Sequence, residues 1–225
     1  MQSRSAEERR AELVELYREA SVCARCPLSK TRTRVVFGAG NADADLMFVG
    51  EAPGMHEDQQ GLPFVGRAGQ LLNQLLGEIG LTREDVFIAN VLQSRPPGNR
   101  DPQPDEIDAC KPFLHRKIEL IEPKVVCTLG NFSTKLLTRS QRGITSVHGR
   151  PQVHELGGRL VRVYPLFHPA AALRSTKTLE ELREDFARLP ALLEEPPPVP
   201  IGAVAPVAAT VTAHPAEPAP PSLFD

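Results

Sequence analysis

The chain lacks any apolar run long enough to cross a bilayer, and its first ten residues carry too many charges for a secretory leader. Both absences point to a soluble, cytoplasmic protein with no membrane partner. An excess of either charge is also lacking. Twenty-six Lys and Arg face 28 Asp and Glu, and four of those acids fall in the last 32 residues, which hold no Lys or Arg, so the body carries +2. That balance excludes a histone-like polycation, while local patches such as Arg95, Arg100 and Arg174 stay available to phosphates. Cysteines are few. In a reducing compartment Cys23, Cys26, Cys110 and Cys127 read as thiols or metal ligands before they read as disulfides. No internal repeat is present, and 225 residues suffice for one α/β domain with a full core and a tail.

What is present alternates. Ser5 followed by Glu8 is a capping-box signature, and Leu13, Leu16, Tyr17 and Ala20 recur at helical spacing. Strand-like runs at 45–50, 86–90, 124–130 and 160–167 are separated by helical patterns at 67–79, 104–121 and 131–138. A last helix over 179–193 opens at Thr178, with Glu181 three residues on. Strand-helix alternation predicts a three-layer α/β/α fold with a four-stranded parallel sheet. The domain is expected to span 1–193, and 194–225, rich in Pro and Ala without periodicity, to be a disordered tail.

The loop from Gly50 to Gly69 is the most informative segment. It joins a strand to a helix and so belongs at the carboxyl edge of the sheet, where open α/β folds bind ligands. It carries Glu51, Glu57 and one aromatic, Phe64, among glycines that allow close approach of backbone to a ligand. The second strand ends at Asn90, whose amide offers a donor and an acceptor to the edge of a base. The third ends in Leu129-Gly130-Asn131, which reads as simple helix capping. The fourth ends at His168-Pro169, and an imidazole N–H there suits a developing anion. Gly61 to Arg67 mimics a nucleotide-binding P-loop, but Arg67 and Ala68 stand where Lys and a hydroxyl are required. Cys23-Ala-Arg-Cys26 follows a helix rather than a strand, which suits a metal or cluster site better than a redox pair. Cys110 is a third thiolate candidate, and Cys127, inside an apolar strand, reads as a small hydrophobe.

From Cys23 to about Leu193 the chain resembles the family 4 (iron–sulfur) uracil-DNA glycosylases. The resemblance rests on Gly50-Glu-Ala-Pro-Gly54, Glu57-Asp58, Gly61-x-Pro63-Phe64-Val-Gly-Arg-Ala-Gly69, Asn90, Arg95-Pro-Pro-Gly-Asn-Arg100 and His168-Pro-Ala. It implies a monofunctional hydrolase of base-excision repair that cleaves the N-glycosidic bond of uracil in single- or double-stranded DNA. On that resemblance Phe64 stacks on the flipped uracil, Asn90 reads its O4 and N3–H edge, and His168 stabilises charge on O2. Glu51, Ala52 and Pro53 line the pocket and the water site, with Glu51 orienting the water, since Ala52 cannot. Glu57 crowds C5 against a thymine methyl. Arg95 and Arg100 contact DNA, and Leu173 with Arg174 forms the wedge that fills the vacated stack.

The resemblance also implies a structural 4Fe–4S cluster. The family's usual fourth cysteine is replaced here by Ser94, so the ligands are Cys23, Cys26 and Cys110, with Ser94, less favoured Cys127, or no residue as the fourth, the last leaving a three-iron cluster or none. The terminal Ser222-Leu223-Phe224 resembles a sliding-clamp-binding peptide, and a monomer is expected. The alternative from another class is a non-catalytic or covalently trapping uracil-DNA-binding module. The trapping relatives carry a basic loop with a nucleophilic His, and no such insertion lies between Asn90 and Cys110.

Overall fold

The computed structural model describes residues 4–198. Most of the expected tail, with Ser222-Leu223-Phe224, lies outside the described residues. Helix α1 (Ala6–Ser21) starts on the expected box: Ser5 Oγ accepts from the Glu8 amide at 3.2 Å, and the Glu8 carboxylate accepts from the Ser5 amide at 2.7 Å. There follow β1 (Ala39–Gly40), β2 (Leu46–Gly50), α2 (Met55–Gln60), α3 (Arg67–Glu78), β3 (Phe87–Asn90), α4 (Pro104–Ile121) and β4 (Val125–Leu129). The chain continues through α5 (Asn131–Thr138), α6 (Ile144–Val147), β5 (Gln152–Leu156), β6 (Arg159–Leu166), α7 (Pro169–Ala172), α8 (Thr176–Ala187) and α9 (Leu189–Glu194).

The sheet has six strands in the order β1-β3-β2-β4-β6-β5. Its centre, β3, β2, β4 and β6, is the expected parallel set, and antiparallel edges β1 and β5 correct the four-strand expectation. Both edges carry weak sequence signals. Strand β1 is two residues long, and β5 alternates half-buried and exposed side chains before a hairpin at Gly157 and Gly158, both at positive φ.

Every residue of β2, β3 and β4 is buried, as a sheet covered on both faces requires. Strand alternation then divides the core. Met47, Val49, Ala89 and Val126 join one apolar layer with α1 and α4, while Leu46, Phe48, Ile88 and Cys127 join the other with α3 and α8. The expected last helix is two. Helix α8 starts earlier than expected, on Ser175, whose hydroxyl accepts from the Thr178 amide, and α9 restarts with Pro190 in its first turn. From β2 the chain moves to β3 on one side and then to β4 on the other. The carboxyl end of β2 is therefore a topological switch point.

Candidate active site

At that switch point a cavity of about 400 Å³ opens, lined by Glu51, Ala52, Pro53, Glu57, Phe64, Asn90 and His168 together with Arg100 and Ala170. Seven residues drawn from positions 51 to 168 thus meet in one place. Strand β2 delivers Glu51, β3 ends on Asn90, and β6 runs into Phe167-His168.

Asn90 is 3% exposed, and its Oδ1 has no hydrogen-bond partner among the described residues. A buried acceptor left open costs roughly 1–3 kcal/mol, and this one borders the cavity. Gly50 makes the arrangement possible. A Cβ there would lie 2.4 Å from Asn90 Oδ1 and 2.7 Å from the Phe64 ring.

His168 Nδ1 accepts from the Ala170 amide at 3.1 Å, which leaves the proton of the neutral ring on Nε2. Although one edge of the ring faces the cavity, loss of water contact pulls the pKa down to about 4. The imidazole is neutral at pH 7. Gly130, at φ 92°, admits it closely, since a Cβ would come within 3.1 Å of His168 Cβ. Next to it, Asn131 Oδ1 accepts from the Ile144 amide at 2.8 Å and ties α5 to α6.

Glu57 accepts three backbone hydrogen bonds, from Gly54 (3.1 Å), Val65 (2.9 Å) and Gly66 (3.0 Å). Its carboxylate closes the loop on itself while still bordering the cavity. Phe64 adopts φ 53°, rare for a bulky residue and worth about 1–3 kcal/mol of strain. Glu51 is half-buried, and burial, then the charge of Asp101, raises its pKa.

The DNA candidates divide. Arg100 is engaged by the buried carboxylate of Glu106 through two hydrogen bonds, so its charge is already compensated. Arg95 donates to Asn99 Oδ1 at 2.7 Å. Leu173 and Arg174 are exposed just after α7. The P-loop mimic is the turn between α2 and the first residue of α3, with no strand leading into it.

Cys23, Cys26 and Cys110 pack against one apolar layer, and the other two thiols raise the pKa of Cys110, although burial raises it more. Ser94 is buried, and its hydroxyl accepts from Arg32 Nη1 at 3.4 Å. Cys127 belongs to the opposite layer, which removes it as a fourth ligand. Among the described residues no group of three or more His, Cys, Asp or Glu is placed to hold a single metal ion. Beside the thiols, Lys117 is fully buried and donates to neutral oxygens, the Phe37 carbonyl and Gln93 Oε1.

Sequence reasoning passed over Arg83, Asp101 and Lys117. Asp101 lies near Glu51, Lys117 near Cys110, and Arg83 bonds the Pro63 and Phe64 carbonyls, and no motif marked any of them.

A family model described as "Uracil DNA glycosylase superfamily" matches residues 37–189. The "Type-4 uracil-DNA glycosylase" of Sulfurisphaera tokodaii is 46% identical over 182 residues, covering 79% of this chain and 83% of the relative. That of Thermotoga maritima is 48% identical over 168 residues, covering 74% and 86%. That of Archaeoglobus fulgidus is 44% identical over 181 residues, covering 79% and 91%. With the match reaching from before β2 to beyond His168, and relatives of one kind covered over most of their length, the chain belongs to the type-4 uracil-DNA glycosylases.

Proposed function

We propose that this protein excises uracil from DNA by hydrolysing its N-glycosidic bond, leaving an abasic site. The unpartnered Asn90 Oδ1 carries the reading. Uracil presents N3–H as a donor beside the acceptor O4, which an amide oxygen and amide NH2 match in order. Cytosine presents the reverse pattern and leaves the buried oxygen facing a lone pair.

The target base leaves the stack before reaction, which costs a few kcal/mol and favours single strands and mismatches. Phe64 offers the face on which it stacks. His168 donates Nε2–H to O2 as the base departs with negative charge, and one such donor is typically worth about 3 kcal/mol of barrier. A neutral donor suffices, because the charge it meets develops only as the bond breaks. Water then attacks the sugar cation, oriented by Glu51. Ala52 and Pro53 shape the water site, and Glu57 borders C5, where a thymine methyl would need room. Leu173 and Arg174 fill the gap in the duplex and Arg95 meets the backbone. Arg100, held by Glu106, orients the loop that carries Arg95.

An iron–sulfur cluster held by Cys23, Cys26 and Cys110, with Ser94 at the fourth position, fits the donor set. Such clusters distribute their thiolates over several irons, so the ligands need not converge on one point. Burial pulls the Lys117 pKa down to about 7, and with no acidic partner among the described residues this amine would keep its proton more readily beside a group that carries negative charge. The role is structural, joining the segment after α1 to α4, and no step of the excision passes through it. Beyond the described residues, Ser222-Leu223-Phe224 is proposed as a clamp contact. Deleting Ser222–Asp225 is expected to abolish retention by the clamp, and retained binding would refute it.

The activity is tested by uracil release from single-stranded, U·G and U·A oligonucleotides, comparing the wild type with an H168A/N90A variant. Release by the wild type and collapse in the variant is the expected result. Binding without release would favour a non-catalytic module instead.

A further inference from the structure

Phe64 holds a backbone conformation that its side chain disfavours, at φ 53°, and three groups hold it there. Gly69 admits the Phe64 carbonyl so closely that a Cβ would fall 1.8 Å from that oxygen. Glu57 takes the amides of Val65 and Gly66. The third is Arg83, from the loop between α3 and β3. Its Nη1 donates to the Phe64 carbonyl at 3.0 Å and to Asn73 Oδ1 at 3.2 Å, and its Nη2 donates to the Pro63 carbonyl at 2.7 Å.

The chemistry of that residue is specific. Arg83 is half-buried and takes part in no ion pair among the described residues, since all three of its acceptors are neutral oxygens. Burial accordingly pulls its pKa down. Glu84 offsets part of that cost by its charge without forming an ion pair, yet a half-buried guanidinium bonded to neutral oxygens remains a costly way to make a surface contact. Its planar fork, however, donates to two successive carbonyls at once, which a single ammonium cannot match in geometry. Those two carbonyls belong to the aromatic platform and the proline before it.

We propose that Arg83 is a positioning residue for uracil recognition: its guanidinium clamps the Pro63–Phe64 backbone in the left-handed turn that presents the Phe64 ring to the cavity. The proposal deepens the functional reading above and rests on the stacking role of Phe64. Arg83 touches no substrate, so its effect passes through the ring. Misplacement of a substrate-orienting group by about 1 Å costs on the order of 100-fold in rate.

The test is a double-variant cycle on the full chain. Arg83→Ala, Arg83→Gln and Arg83→Lys are measured with and without Phe64→Ala, by single-turnover release of uracil from a single-stranded oligonucleotide. Amide hydrogen exchange at Val65 and Gly66 is followed in parallel. Arg83→Ala is expected to lower release about 100-fold and to speed exchange at both amides while β2 and β4 stay protected. Arg83→Lys should restore part of the rate. In the Phe64→Ala background, Arg83→Ala should change almost nothing.

Equal losses in both backgrounds, or unchanged exchange with an unchanged rate, would overturn the clamp. Should Arg83→Ala not fold, Arg83→Gln, which keeps one donor, carries the same comparison. A Phe64→Ala variant as active as the wild type overturns the stacking role and this proposal with it. A wild type that releases no uracil instead removes the functional reading, and the exchange data alone then decide whether Arg83 holds the loop.

Discussion

The imidazole of His168 lies 5.7 Å from the ring of Phe64, centroid to centroid, with the two planes 29° apart. The proposed anion donor and the proposed stacking surface therefore share one wall of the cavity. Burial holds the His168 pKa near 4. An unfolded chain returns the ring to its ordinary value of 6.5, so the unfolded state binds the extra proton first as pH falls. Stability from this group is complete above pH 6.5 and lost as pH drops toward 4, by about 3 kcal/mol in all. Thermal unfolding of His168→Gln between pH 7 and 4 is expected to show a shallower acid slope than the wild type. Parallel slopes would mean that the ring is not kept neutral by its surroundings.

Glu51 moves in the opposite direction. Burial and then the charge of Asp101 raise its pKa, so the carboxylate that would orient water forms at a higher pH than that of a free glutamate. Uracil release should fall as pH drops through that raised value. Glu51→Gln is expected to slow release and to remove this acid limb. The same raised pKa means that an ionised Glu51 destabilises the fold at neutral pH, and Glu51→Gln should raise the unfolding temperature at pH 7. A Glu51→Gln enzyme of full activity would remove the assignment.

Two glycines offer a controlled contrast. Gly50→Ala drives a methyl into both Asn90 Oδ1 and the Phe64 ring. Overpacking of this kind costs about 1–3 kcal/mol of stability, and uracil release should collapse with it. Gly77, inside α3, has nothing within 4 Å of its missing Cβ. Gly77→Ala should be stabilising by up to about 1 kcal/mol with release unchanged. Unfolding curves and release rates of the two variants check the pair together, and a harmless Gly50→Ala would show that the cavity wall is not as tight as drawn.

Ser94→Cys supplies a fourth thiol beside Cys110. Iron and acid-labile sulfide per chain are expected to rise above the wild-type level, and to fall in Cys110→Ala. Unchanged metal content in Ser94→Cys would mean that Ser94 does not occupy a ligand position. The readout is chemical composition, independent of activity.

Much of the site was legible in the sequence because it sits where strands end. The runs before Gly50, Asn90 and His168 are continuous and apolar, so their carboxyl ends, and the polar residues placed there, follow from periodicity. The edge strands were not legible, because Ala39–Gly40 is too short to show a period and Gln152–Leu156 is half-exposed. Nor was the break between α8 and α9, where helical spacing runs on through a proline. Arg83 is a further case. A residue that acts by donating to the backbone of a loop 19 positions away leaves no local pattern.

Glu57 bonds to amides three, eight and nine positions distant, which ties Gly54 through Gly66 into a small ring closed by one side chain. A ring fixes its circumference more strictly than its composition. Within it, Gln59, Gln60 and Leu62 face outward and take no part in the closure. These positions are free to diverge, or to accept a reporter group, while any insertion or deletion between Glu57 and Val65 would pull the carboxylate off its amides. At those outward positions it is length, rather than side-chain identity, that the closure constrains.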